Sequence, residues 1–205
     1  MIQLAKGIDV SHHQGEIGWP AVESDPEVRF AIIRTGHGVK GDRQFRRNWR
    51  LARKTRLVLG VYHYFDYWVD AQAQAQRFLE ITDEAGVWDG PTLPPVGDFE
   101  HGPITSSHIE TWLNTVEGHV GLCPWIYTGP WWWNTAVGNV RHMARYPLWV
   151  ADYTGVVDVP LPWTDWIMHQ RTDKGRVRGI GTNVDVNAFN GDDATLHWMA
   201  GSGER

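Results

Sequence analysis

The stretch Leu93-Pro94-Pro95-Val96-Gly97-Asp98-Phe99-Glu100-His101 reads as a short buried strand that ends in two acids. Successive strand side chains alternate faces, so Asp98 and Glu100 share one face and Phe99 takes the other. Their Cα atoms are expected roughly 6–7 Å apart along an extended chain. Two crowded carboxylates disfavour joint ionisation, so one of them tends to hold a proton near neutral pH. A proton donor beside a charged stabiliser is what cleavage of a glycosidic bond needs. A solvated acidic turn would show the same D-x-E pattern, and the rest of the chain has to decide between the two.

Seven further strand-like runs flank this one, at 7–11, 28–34, 57–65, 124–128, 147–153, 166–170 and 183–189. Between them, Trp19-Pro20 opens a helix. Residues 42–56 carry Phe45, Trp49 and Ala52 at helical spacing, and 69–85 carry Ala71, Ala75, Phe78, Leu79 and Ile81. Ser107 with Glu110 resembles a capping box for a helix that runs to about Val120. Trp131-Trp132-Trp133 begins another helix or loop. Strands followed by helices imply parallel pairing, and eight of them can close a barrel. The expected fold class is therefore α/β, a single irregular (β/α) TIM-like barrel with an acidic active site at the C-terminal ends of its strands. The later segments are short on helix, hence irregular. One domain over residues 1–205 is expected, with a core at about 5–190 and a tail at 191–205.

Loops after strands carry the site in such barrels. Asp9, Tyr62, Asp98, Glu100, Tyr127 and Asp185 all lie late in their strands or just after them, on five different strands. Asp9 sits in an otherwise apolar run, where an unpaired carboxylate is costly. A salt-bridged structural aspartate would meet that cost equally well.

Composition narrows the function. A length of 205 residues and 42% hydrophobic content suit one domain with a sizeable core. The net charge of −5 and the lack of a basic run argue against nucleic acid as a partner. The Arg and Lys side chains of residues 42–56 read as a solvated face. One cysteine, Cys123, allows no intramolecular disulfide and no Cys-based metal cluster, and reads as a small core residue. Among ten His, His12-His13 lacks the i,i+4 spacing of a zinc pair and no H-E-x-x-H occurs, so neither metal nor cofactor is expected. Met1–Lys6 shows no signal peptide, and no 18-residue apolar run exists to span a membrane. Thirteen Trp and six Tyr offer flat faces that suit sugar rings or a packed core. A monomer is expected.

Several motifs together resemble glycoside hydrolase family 25, the Chalaropsis-type lysozymes or N-acetylmuramidases of bacteria, fungi and bacteriophages. They are Gly7-Ile8-Asp9-Val10-Ser11 with Gln14-Gly15 and Trp19, Tyr62-His63-Tyr64-Phe65, and Pro95-Val96-Gly97-Asp98-Phe99-Glu100. Tyr127-Thr128, Trp149-Val150-Ala151-Asp152-Tyr153, and Gly179-Ile180 leading to Val184-Asp185-Val186-Asn187 complete the set. The resemblance covers roughly residues 5 to 190. It implies hydrolysis of the β-1,4 bond from N-acetylmuramic acid to N-acetylglucosamine in bacterial peptidoglycan. It also implies that Glu100 is the general acid, that Asp98 orients the substrate's acetamido group, and that Asp9 and Asp185 are flanking acids. Tyr62, Tyr127, Tyr64, Trp149, Asp152 and Gln170 are the implied substrate-binding residues. Arg171 after Gln170, where the family often has an aromatic, and the triple Trp131-Trp132-Trp133 depart from the pattern. The triple is an added sugar platform or packing, with at least one ring packed.

The chemistry stands beside the resemblance. A carboxylate can orient a 2-acetamido group so that its oxygen attacks the anomeric carbon while a neighbouring acid protonates the leaving oxygen, a known exception to the two-carboxylate scheme. Retention is the expected outcome, and inversion the alternative. The rival functions are a glycosidase acting on chitin-like polymers, a non-catalytic sugar-binding module, and a metal hydrolase. Action on the bacterial cell wall without a signal peptide fits a phage endolysin released through a pore, or a secreted enzyme trimmed to its catalytic domain.

Overall fold

The computed structural model describes residues 4–201; part of the Met1–Lys6 stretch and the end of the expected tail lie outside them. The chain runs β1 (Lys6–Val10), α1 (Trp19–Glu23), β2 (Phe30–His37), β3 (Lys40–Gly41), α2 (Phe45–Ala52), β4 (Val58–Tyr64) and α3 (Ala71–Glu84). It continues through β5 (Val96–Asp98), α4 (Ser106–Val120), β6 (Trp125–Thr128), α5 (Pro130–Ala136) and β7 (Leu148–Ala151), and ends with β8 (Met168–Gly175), β9 (Val184–Phe189) and α6 (Asp193–Met199). The sheet order is β1-β9-β8-β7-β6-β5-β4-β2, and a β1–β2 pairing closes it into a barrel of eight strands. β3 is a short hairpin return on the end of β2.

The near-continuous apolar runs of the central strands follow from burial on both faces. Phe30, Ile32, Val58, Val96, Trp125, Trp149, Met168 and Phe189 fill the barrel interior. The alternate residues Ile8, Val10, Ala31, Ile33, Val61, Phe99, Ile126 and Val150 face outward into a second core beneath the helices. Trp112 of α4 is fully buried there against Phe78, Phe99 and His63. A buried ring of this kind contributes on the order of 1.5–3 kcal/mol. Gly97 allows the approach of α4 to β5: a Cβ at that position would lie 2.5 Å from the Phe99 ring and 3.0 Å from Trp112. The outward packing of Phe99 leaves its neighbours Asp98 and Glu100 aimed at the barrel mouth.

Four features differ from the sequence expectations. Apart from the hairpin return β3, strand pairing is parallel from β1 through β8, but β9 runs antiparallel to both β8 and β1. Residues 176–183 are all that separate β8 from β9, too few for a parallel crossover, so the two form a hairpin. Asp185 therefore stands at the start of its strand, not late in it, yet at the same rim as the other strands' C-terminal ends. Second, β8 extends to Gly175 through the exposed Arg171, Asp173 and Lys174, and β7 stops at Ala151 before Asp152 and Tyr153. An apolar run marks only the part of a strand that is covered, so a polar hairpin arm escapes it. Third, α4 is capped by Thr105, whose hydroxyl accepts from the His108 amide (3.4 Å), rather than by Ser107. Thr105 has the extended backbone that a cap needs, and Ser107 already lies in the first turn. Fourth, part of the stretch expected to be a tail is α6, whose Leu196 is buried in the interior cluster. Ala200 just beyond it accepts from the Thr92 amide (2.9 Å), which ties the chain end across the barrel floor.

Candidate active site

The strand register assembles the site. Across neighbouring strands Arg34 stands beside Tyr62, Tyr64 beside Asp98, Asp98 beside Tyr127, and Tyr127 beside Trp149. Asp9 pairs with Asp185, and Gln170 with Asn187. Side chains opposite each other on a barrel point the same way, so these pairs converge inward at the strand ends. All of them except the fully buried Asn187 line a pocket of about 230 Å³, together with Ser11, His13, Gln14, Glu100 and Tyr153. Of the residues singled out from the sequence, Asp9, Tyr62, Tyr64, Asp98, Glu100, Tyr127, Trp149, Gln170 and Asp185 are brought together here. Asp152 is not: it lines the adjoining groove, and its carboxylate accepts from the amides of Thr154 and Asp158 (both 2.8 Å).

One network orients the polar floor. The Trp149 indole N–H can only donate, and it donates to Asn187 Oδ1 (3.0 Å). That leaves Asn187 Nδ2 to donate to Asp9 Oδ2 (2.8 Å). Gln170 Nε2 donates to the same oxygen (2.9 Å), while Gln170 Oε1 accepts from the hydroxyls of Tyr127 (2.9 Å) and Tyr153. Trp149 is only 1% exposed and meets Tyr62 and Tyr127 edge to face, so it packs beneath the pocket rather than offering an open ring. Asp9 is thus held by two amides and not by a salt bridge.

The acids are pushed toward their neutral forms. Burial raises Asp98 well above the ordinary carboxylate range, and Glu100 and Asp9 add to the effect. Glu100 is raised by burial and then by Asp9, with a hydrogen bond to Tyr127 opposing. Asp185 is pushed up to about 8, by burial first and then by the charge of Asp9. Asp9 is raised by burial, against the hydrogen bonds of Asn187, Gln170 and Asp185. Asp98 Oδ1 is buried and has no hydrogen-bond partner. An unsatisfied buried carboxylate oxygen costs on the order of 1–3 kcal/mol or more, so its retention in a pocket calls for a donor from outside.

Sequence reasoning assigned no role to Arg34, Ser11, His13, Gln14 or Tyr153. Arg34 is the guanidinium of the pocket; its Nε donates to Asp42 Oδ2 (3.0 Å). Burial would raise Asp42, but hydrogen bonds from Gln44 and His12 and the charge of Arg34 outweigh it and keep it ionised. The signal for Arg34 was its place in step with Phe30 and Ile32 on the inward face of an apolar strand. Ser11 caps the 3₁₀ turn His12–Gln14 by the same box logic that Gln14 completes from its side chain. The three rings of the Trp triple divide: Trp133 is fully buried with its indole N–H on Leu161 O (2.8 Å), Trp132 is half-buried, and Trp131 is 79% exposed. Cys123 is partly buried against the outer core. A second depression, at the opposite end of the barrel, has its charged groups tied up in the ion pairs Lys6–Glu27 and Arg29–Asp193 and in the Asp192 cap of α6. Among the described residues no three His, Cys, Asp or Glu side chains are grouped to hold a metal ion, and no helix is long and apolar enough to cross a membrane.

The family model for glycosyl hydrolases family 25 matches residues 8–180. The uncharacterized protein YegX of Escherichia coli O157:H7 is 35% identical over 202 residues, 93% of this chain and 71% of that protein. Lysozyme M1 of Streptomyces globisporus is 34% identical over 212 residues, 95% of this chain and 71% of that protein. The crystal structure of the bacterial lysozyme from Streptomyces coelicolor superimposes with a TM-score of 0.85 at 32% identity, covering 98% of this chain and 99% of that one.

Proposed function

The chain belongs to glycosyl hydrolases family 25 and is a glycoside hydrolase; we propose that it is a lysozyme that cuts the β-1,4 bond from N-acetylmuramic acid to N-acetylglucosamine in bacterial peptidoglycan. The observation that carries the mechanism is the pairing of Asp98 and Glu100 on one side of the pocket, with Asp98 Oδ1 lacking a partner.

In this reading the amide N–H of the muramic acid's 2-acetamido group donates to Asp98 Oδ1. The acetamido oxygen is thereby turned toward the anomeric carbon and attacks it. Glu100, kept protonated by burial, gives its proton to the departing O4 of the next sugar. The intermediate is a ring closed by the substrate's own amide. Glu100, now a carboxylate, takes a proton from water as that water opens the ring, and the β configuration returns. Asp9 and Asp185 share one proton beyond this pair and set the local field. The Tyr127 hydroxyl steadies Glu100 and links it through Gln170 to Asp9. Arg34 limits the accumulated negative charge. The enzyme is proposed to act on the cell wall as a monomer, reaching it as a released endolysin or a secreted catalytic domain.

Mass spectrometry of the soluble products from purified peptidoglycan tests the activity. Reducing muramic acid ends are expected. Reducing glucosamine ends would mark a glucosaminidase, and faster digestion of chitin than of peptidoglycan would move the substrate class.

A further inference from the structure

An apolar groove of about 570 Å³ adjoins the catalytic pocket, lined by Gly129, Pro130, Trp131, Trp132, Ala151 and Tyr153, with the buried Asp152 and the exposed Asp158. Glu100 and Tyr153 belong to both cavities, so the two are continuous through the acid. We propose that this groove receives the sugar on the leaving-group side of the scissile bond, with Trp131 as the platform on which that sugar lies. The inference rests on the lysozyme reading and adds the direction in which the glycan chain is threaded.

Three observations support it. A general acid protonates the leaving oxygen, so the leaving sugar must stand on the side of Glu100 away from the other acids. The groove meets that condition, because Glu100 lines it while Asp9, Asp98 and Asp185 do not. Next, Trp131 is 79% exposed while the neighbouring Trp133 is fully buried, so packing does not account for the first ring as it does for the third. A pyranose presents axial C–H groups on its faces and hydroxyls at its edge, and a flat indole matches the face. Finally, the facing wall is held in shape before any ligand arrives: Asp152 accepts from the amides of Thr154 and Asp158 and so fixes the loop that carries Tyr153 and Asp158. This gives Asp152 a positioning role and leaves Asp158 at the rim for sugar hydroxyls. The groove has more than twice the volume of the catalytic pocket, about 570 against about 230 Å³, so it has room for more than one ring of the chain.

The test compares two substrates with the same glycone. One is a peptidoglycan glycan chain, and the other carries a nitrophenyl group in place of the leaving sugar. Trp131→Ala is expected to lower kcat/KM on the glycan by about tenfold to a hundredfold, mainly through KM, and to lower it on the nitrophenyl glycoside at least about tenfold less. Trp131→Phe keeps an aromatic face and should restore most of the loss. Equal losses on both substrates would make Trp131 structural, and no loss on either would leave the groove unoccupied; both overturn the proposal. Wild-type enzyme that cleaves neither substrate would instead refute the lysozyme reading, and the groove with it.

Discussion

Asp9 on β1 and Asp185 on β9 are register partners across the antiparallel pair of these two strands, close enough that each bears on the ionisation of the other. The antiparallel direction of β9 is what brings them together: a parallel β9 would present its last residues, not its second, at this rim. Two acids facing each other in a buried mouth cannot both ionise cheaply, so Asp185 holds the proton and Asp9 the charge.

Asp185→Asn keeps a neutral hydrogen-bond donor and removes the titration. The wild-type group has its folded pKa raised to about 8, so the folded state binds more protons than the unfolded state from the ordinary carboxylate range up to that value. Stability therefore declines as pH rises through this window. The variant is expected to gain thermal stability over wild type at about pH 9 relative to about pH 5, while losing activity. Melting curves at both pH values check this, and a difference that does not change with pH would contradict the shared proton.

Glu100→Gln preserves shape and removes the transferable proton. Turnover on peptidoglycan is expected to fall about 10²–10⁴-fold with the fold intact. Because burial raises the wild-type acid above the ordinary glutamate range, the alkaline limb of its kcat/KM profile should lie above that range too. Wall lysis near the wild-type rate in the variant would remove Glu100 from the mechanism.

Asp98→Asn should reduce turnover strongly while leaving the affinity for glycan largely unchanged. The amide can still meet the acetamido group, but it cannot ionise to offset the positive charge that develops on ring closure. Steady-state kinetics paired with binding measured in Glu100→Gln and in the double variant separates the two effects. A collapse of binding without loss of turnover of the bound substrate would make Asp98 a binding residue only.

The barrel and most of its acids were legible because strand side chains alternate. Asp98 and Glu100 flank an outward Phe99, Asp9 breaks an apolar run, and Tyr62 and Tyr127 end theirs. The direction of β9 was not legible. Periodicity reports which face a residue takes and says nothing of which way its strand runs, so Asp185 was placed at the right rim for the wrong reason. Hydrogen-bond partners were hidden for the same kind of cause. Gln170 and Asn187 meet Asp9 from positions 161 and 178 residues away, and nothing local marks such a contact. Asp152 matched a motif, yet its carboxylate serves a turn of its own loop.

His63 faces outward from β4 into the helix layer, stacked on Trp112, with burial pushing its pKa down to about 4. Between that value and the ordinary histidine range the unfolded chain binds a proton that the folded protein refuses. Stability is thus lost as pH falls through the window, by up to about 3 kcal/mol. His63→Phe should make the denaturant midpoint less sensitive to acid between about pH 7 and about pH 4.5. Equal acid sensitivity in both proteins would assign the loss to other groups.

The most direct test of substrate assistance by Asp98 and Glu100 is proton NMR of the anomeric signal in the first moments of glycan hydrolysis, before mutarotation. Attack by the acetamido oxygen followed by water from the opposite face returns the original configuration, so the first signal is expected to be β. An α signal at that stage would contradict it: water would then have attacked directly from the far side, with Asp9 or Asp185 as the base.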